Sequence, residues 1–151
     1  MEATQDHHKM FSTNCFNQVW TLLDKKERSE KENRLMRETA HASLFHWLQR
    51  KDCEPMNVSV GLWQVSRVYA VLGDAEASAR YAQECVDISD GSELPPFYRA
   101  FAYEAAARAA SLAEDKNVSV VALNRARELT AEIEDKEEVA MLEADFRTIP
   151  Y

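Results

Sequence analysis

The chain has little that would bend, crosslink or embed it. Its 151 residues include 3 glycines and 4 prolines, which leaves few places for irregular loops. The 3 cysteines, Cys15, Cys53 and Cys85, lie far apart and form no C-x-x-C pair. That excludes a disulfide framework or a cysteine-based zinc site and points to reduced thiols in the cytoplasm. The sequons at Asn57 and Asn117 are therefore read as helix starts rather than glycan sites. No apolar run approaches the ~20 residues that span a bilayer, and the polar start MEATQDHHK lacks the apolar centre of a signal peptide. Cations are also short: 18 Lys and Arg stand against 26 Asp and Glu, a formal net charge of −8. That balance argues against nonspecific nucleic-acid binding, which needs clustered cations to displace phosphate counterions.

Catalytic signatures are missing too. There is no Gly-rich phosphate loop, no G-x-S-x-G elbow, no H-E-x-x-H and no Cys-His signature. One E-x-x-H does occur, Glu38 to His41, but helical di-iron sites need two such motifs and two further glutamates. His46 lies roughly 140° around the helix from His41, so the two imidazoles cannot grip one metal from a single undistorted helix. His41 beside Trp47 reads as a hydrogen-bonded helix histidine, and His7-His8 as part of a frayed terminus. No cofactor or metal is implied.

What the chain does have is alanine and apolar spacing of three and four, and both favour helix throughout. Seven helices are expected in one domain over 1–151. The first runs from about Lys9 to Asp24, with Phe16, Val19, Trp20 and Leu23 as its stripe. Lys25 to Asn33, with Lys, Arg and Glu interleaved, reads as a solvated helix end or a linker. The second runs from about Glu32 to Arg50, with His41, Leu44 and Leu48 on one face. The third opens at Asn57 and is apolar nearly all round except for Gln64, Ser66 and Arg67. A helix of that kind is covered on more than one side, which puts it mid-domain. Gly73 can end it in the left-handed conformation, and Asp74 can cap the next. The loop Asp90-Gly91 to Pro96 precedes the fifth helix, Asn117 opens the sixth, and Val139, Leu142, Phe146 and Ile149 form the stripe of the seventh.

At Leu62–Ile88 the chain resembles a tetratricopeptide (TPR) repeat. With Gly73 as the turn glycine, Leu62, Val65, Ser66 and Tyr69 fall at signature positions of the first helix, and Ser78 and Cys85 at small-residue positions of the second. Leu62 stands where tryptophan is usual, and Asp90 where the closing proline is usual. Matching Gly73 to Glu114 gives a degenerate second copy offset by 41 residues, seven more than the usual ~34. The resemblance implies an all-α, TPR-like right-handed array of about three antiparallel helix pairs plus a C-terminal capping helix. The stretches AHASLFHW, LWQVSRVYAVLG and FAYEAAARAA are also similar to a family of uncharacterised bacterial proteins, a likeness that brings no activity with it.

In TPR-like arrays the first helix of each pair lines a concave groove. Carried across, this places Asn17, Trp20, Trp63, Arg67, Phe101, Glu104 and Arg108 inward, together with Thr13, Val60, Ala70 and Ser111. Aromatics and Arg are typical hot spots for binding a peptide or protein segment. Arg67 and Glu104 can instead neutralise one another as a structural ion pair. The competing class is an enzyme or a small-ligand or metal-binding protein with a polar pocket around His41, His46, Arg67 and Glu104. A third is self-association, as a homodimer, through an exposed edge. The residues favour the non-catalytic binding role, with neither nucleic acid nor membrane as partner.

Overall fold

A computed structural model describes residues 4–150; residues 1–3 of the polar start, and residue 151, lie outside them. The described residues form seven helices and no strand: α1 (Gln5–Leu23), α2 (Glu30–Gln49), α3 (Pro55–Val71), α4 (Ala75–Gly91), α5 (Pro96–Leu112), α6 (Lys116–Thr130) and α7 (Lys136–Phe146). None of them is long and apolar enough to cross a membrane. Consecutive helices pack in pairs, α1 on α2, α3 on α4 and α5 on α6. α3 also touches α2 and α5, and α7 lies against α5 and α6.

Capping chemistry moves three of the expected boundaries. α1 begins at Gln5, not Lys9, because Thr4 and His7 form a capping box, and the histidine pair sits inside the first turns rather than in a frayed end. Ser29 and Glu32 form another, so α2 begins at Glu30 rather than Glu32 and the charged stretch contains its first turn, a solvated helix end. α3 opens at Pro55, in the first helical position where its missing N–H costs nothing. Asn57 sits two residues further in, where its side chain accepts the Glu54 N–H at 2.9 Å. In α2, Met36, Ala40, Ser43 and Leu44 are buried, whereas Leu48 is 55% exposed and takes no part in the core expected of it.

The turn after α3 is repeated with the same bonds after α5. Gly73 has φ +82°, its N–H reaches the Ala70 carbonyl at 3.1 Å, and the Asp74 N–H reaches Tyr69 at 3.0 Å. Glu114 has φ +60°, with Glu114 to Ser111 at 3.0 Å and Asp115 to Ala110 at 2.9 Å. Both are Schellman caps. Asp74 then caps α4 through the Ala77 N–H at 3.0 Å, and Asp115 caps α6 through Val118 at 3.1 Å. The 41-residue offset holds inside the pairs as well. Ser78 donates to the Ser66 carbonyl at 3.0 Å, and Ser119 donates to the Ala107 carbonyl at 2.9 Å. A third Schellman cap ends α4, where Glu93, not the nearby Gly91, takes φ +49°.

The core has two lobes. One gathers Val19, Met36, Leu44, Leu62, Val65, Val68 and Cys85 from α1 to α4, with Ala102 and Ala105 of α5. The other gathers Ala100, Ala107, Leu123, Leu129, Leu142, Phe146 and Ile149. Phe101, Tyr103 and Ala106 of α5 pack against both. Leu142, Phe146 and Ile149 are thus buried as the expected cap, with Val139 half-buried at its edge. The polar exceptions on α3 are all bonded: Gln64 to the Phe16 carbonyl, Ser66 to Ser78, and Arg67 as described below.

Candidate functional site

Under the 41-residue offset, Trp63 and Arg67 of α3 correspond to Glu104 and Arg108 of α5. Each pair is four residues apart and so shares a helix face. The two faces meet on Glu104, which is fully buried. Its Oε1 accepts from Arg67 Nη2 at 3.0 Å and from Arg108 Nε at 2.8 Å, and its Oε2 accepts from Trp63 Nε1 at 3.0 Å. Arg67 also reaches Asp145 Oδ2 of α7 at 3.1 Å, and Arg108 holds the Asp145 carbonyl at 3.0 Å and the Thr148 hydroxyl at 2.7 Å. Arg67 and Glu104 are therefore the structural ion pair of the two readings. Burial raises the Asp145 carboxyl above its ordinary range, and the Arg67 guanidinium pulls it back. Arg67 lies over the Trp63 ring, 4.9 Å from its centre, and its Nε is the one buried side-chain donor among the described residues without a partner.

The cluster fixes Trp63 at the wall of a cavity of about 360 Å³. α1 contributes Phe16 and Trp20, and α3 contributes Ser59, Val60 and Trp63. Across from them α5 places Phe97, Tyr98 and Phe101, and α7 closes the edge with Met141 and Asp145. The aromatics order one another. Trp20 stacks on Trp63 with centres 5.6 Å apart, Phe101 meets Trp63 edge-on at 5.5 Å, and Phe97 meets Phe101 edge-on at 5.1 Å. Such pairs contribute about 0.5–1.5 kcal/mol beyond their buried area, so the walls are set before anything enters.

No known protein family, characterised protein or solved structure matches this chain. The cavity must therefore be read from its own walls.

Of the expected site residues, Trp20, Trp63 and Phe101 line the cavity, and Arg67, Glu104 and Arg108 form the ionic cluster behind Trp63. Asn17 is exposed and lies outside the lining. The polar pocket expected around His41, His46, Arg67 and Glu104 does not form. His41 Nε2 is 2.8 Å from the Tyr69 hydroxyl, edge-on to both Tyr69 and Tyr81. His46 instead meets His8 across α1 and α2, Nδ1 to Nδ1 at 2.9 Å, beside Phe11 and Phe45. The two imidazoles are held by different helices, for the phase reason already given, and neither reaches Glu104. Burial lowers the pKa of both, and electrostatic repulsion from the neighbouring His8 lowers that of His46 further. Among the described residues no group of three or more His, Cys, Asp or Glu could hold a metal ion.

Phe16, Phe97, Tyr98, Met141 and Asp145 were not among the expected site residues. A signal existed for two of them: Phe16 with Trp20 and Phe97 with Phe101 are aromatic pairs four apart, on helices already assigned to the groove.

Proposed function

We propose that the protein is a non-catalytic binding module that takes a large anchor side chain of a peptide or protein segment into the cavity between α1, α3, α5 and α7. In this reading the helices are a TPR-like right-handed array, three antiparallel pairs and a capping helix, with α1, α3 and α5 lining its concave side. The protein works in the cytoplasm, where unpaired cysteines stay reduced. The observation that carries the proposal is the wall of aromatic side chains around about 360 Å³, within the ~300–1,000 Å³ range of ligand clefts. Rigid, preoriented aromatics are the side chains that concentrate binding energy at interfaces. The polar groups beside the cavity point the same way. Glu104 spends its acceptors on Arg67, Arg108 and Trp63, so this buried carboxylate is committed to holding the helices together.

A random-peptide display selection tests this. The wild-type protein is expected to enrich peptides with a recurring large anchor residue, and Trp20→Ala/Phe101→Ala, checked for helix content, is expected to lose them. Failure to enrich any motif, or enrichment indifferent to the two changes, would overturn the reading.

A further inference from the structure

We propose further that the anchor is cationic, an ammonium head on an apolar stem such as a lysine side chain, plain or N-methylated; this rests on the peptide-binding reading above. Two properties of the cavity carry it. First, the walls are aromatic, with Trp20, Tyr98 and Phe101 among them, and aromatic faces are negative and attract a cation within about 6 Å. Second, the lining holds no Lys, Arg or His, and its one acidic residue is Asp145. Its Oδ2 accepts from Arg67, its Oδ1 takes part in no hydrogen bond among the described residues, and the side chain is 27% exposed. A free carboxylate oxygen at the mouth of an aromatic cavity is complementary to an ammonium group, whereas a neutral aliphatic anchor would leave it unused.

Arg67 is the obvious objection, because it lies close by and carries the opposite charge. It is, however, behind Trp63 and outside the lining, with Glu104 at 3.0 Å and Asp145 at 3.1 Å. The two arginines of the cluster are matched by its two carboxylates, Glu104 and Asp145, so the cluster presents no net positive charge to the cavity, and of its members it is Asp145 that lies in the lining. The formal net charge of −8 adds long-range attraction for a basic segment.

The test compares choline with its uncharged isostere 3,3-dimethylbutan-1-ol, each titrated against the whole protein while tryptophan fluorescence is followed. Two of the three tryptophans, Trp20 and Trp63, line the cavity, and Trp47 lies under Arg50 on α2. Choline is expected to bind about fivefold or more tightly than the isostere. Asp145→Asn, verified as folded, is expected to bring the two ligands within about twofold. Because Asp145 also pairs with Arg67, Trp20→Leu serves as a second variant. It removes an aromatic face away from the ion cluster, and choline should weaken about fivefold while the isostere changes less than about twofold. Equal or tighter binding of the isostere, an unchanged ratio in Asp145→Asn and Trp20→Leu, or no binding of choline to wild type at tens of millimolar would each overturn the cationic anchor. The display selection judges the peptide-binding reading separately, so the two can fail independently.

Discussion

Glu104 stands 41 residues after Trp63, at the place in α5 that Trp63 holds in α3, and the two side chains bond to each other, indole Nε1 to carboxylate Oε2 at 3.0 Å. The two corresponding positions are a donor and an acceptor, and the bond between them joins α3 to α5 at the cavity wall. The two arginines that follow, Arg67 and Arg108, converge on the same carboxylate.

This arrangement makes the members of the cluster unequal. Glu104→Ala removes the buried carboxylate shared by two guanidinium groups, leaves the Trp63 indole N–H without its acceptor, and should cost about 3–5 kcal/mol. Arg67→Ala leaves Glu104 still paired with Arg108 at 2.7 Å and should cost less, about 1–3 kcal/mol. The double variant should lie closer to Glu104→Ala than to the sum of the two losses, because the residues share one network. Urea denaturation of the three proteins measures this. An Arg67→Ala loss equal to that of Glu104→Ala would mean that Arg108 gives the carboxylate no support.

The Schellman caps give a second expectation. Glu93 and Glu114 carry side chains at φ +49° and +60°, where L-residues are strained by about 1–2 kcal/mol. Glu93→Gly and Glu114→Gly should therefore stabilise the protein, each raising the melting temperature by a few degrees. Gly73→Ala, at φ +82° with open space where its Cβ would sit, should lower stability by about 1 kcal/mol through backbone strain alone. Glycine variants that melt below the parent would show that the glutamate side chains contribute more than the strain removes.

These caps also show what was legible beforehand. The Gly73-Asp74 turn could be read directly, and the match of Gly73 to Glu114 located a second turn that no glycine marks. The same helical phase brought Trp63, Arg67, Glu104 and Arg108 to one place, because spacing of four survives any rigid packing of two straight helices. Asp145 was not legible. It stands three residues after Leu142, on the flank of the apolar stripe of α7, and reaches Arg67 of α3 because α7 lies in contact with α5. No local pattern encodes that crossing. The histidines failed for a related reason: His46 finds His8 across the α1–α2 contact, and a reading confined to one helix could weigh His46 only against His41.

That contact should make stability depend on pH. The ordinary histidine value is 6.5, and burial lowers His46 from it, with electrostatic repulsion from His8 as the second cause. The unfolded chain then binds the proton more readily than the folded one. Stability is fully present above about 6.5, is lost as pH falls through that value toward the lowered folded one, and levels off below it. His41, also lowered by burial, acts in the same direction. Asp145, raised by burial, acts the opposite way at more acid pH and is unaffected by changes at position 46. Melting temperatures should therefore drop between about pH 7.5 and pH 5, and His46→Gln should make the drop smaller. A parent and variant with parallel pH curves would remove His46 from the effect.

The cavity itself admits a direct test, because it can be filled. Val60 lies on its wall, half-buried, one helical turn from Trp63 on the same face of α3. Val60→Phe adds a ring where there is about 360 Å³ of space, so overpacking of the kind that costs about 1–3 kcal/mol in a filled core should be largely avoided. Stability should change by less than about 1 kcal/mol. Occupancy should change completely, since the added ring takes the place of an anchor while Trp20, Trp63, Phe101 and Asp145 remain in sequence and in charge. Peptides enriched by the wild-type protein should no longer bind Val60→Phe, although the ionic cluster behind Trp63 is intact. Retained binding by a folded Val60→Phe protein, measured by fluorescence polarisation of a labelled enriched peptide, would place the binding surface elsewhere on the molecule.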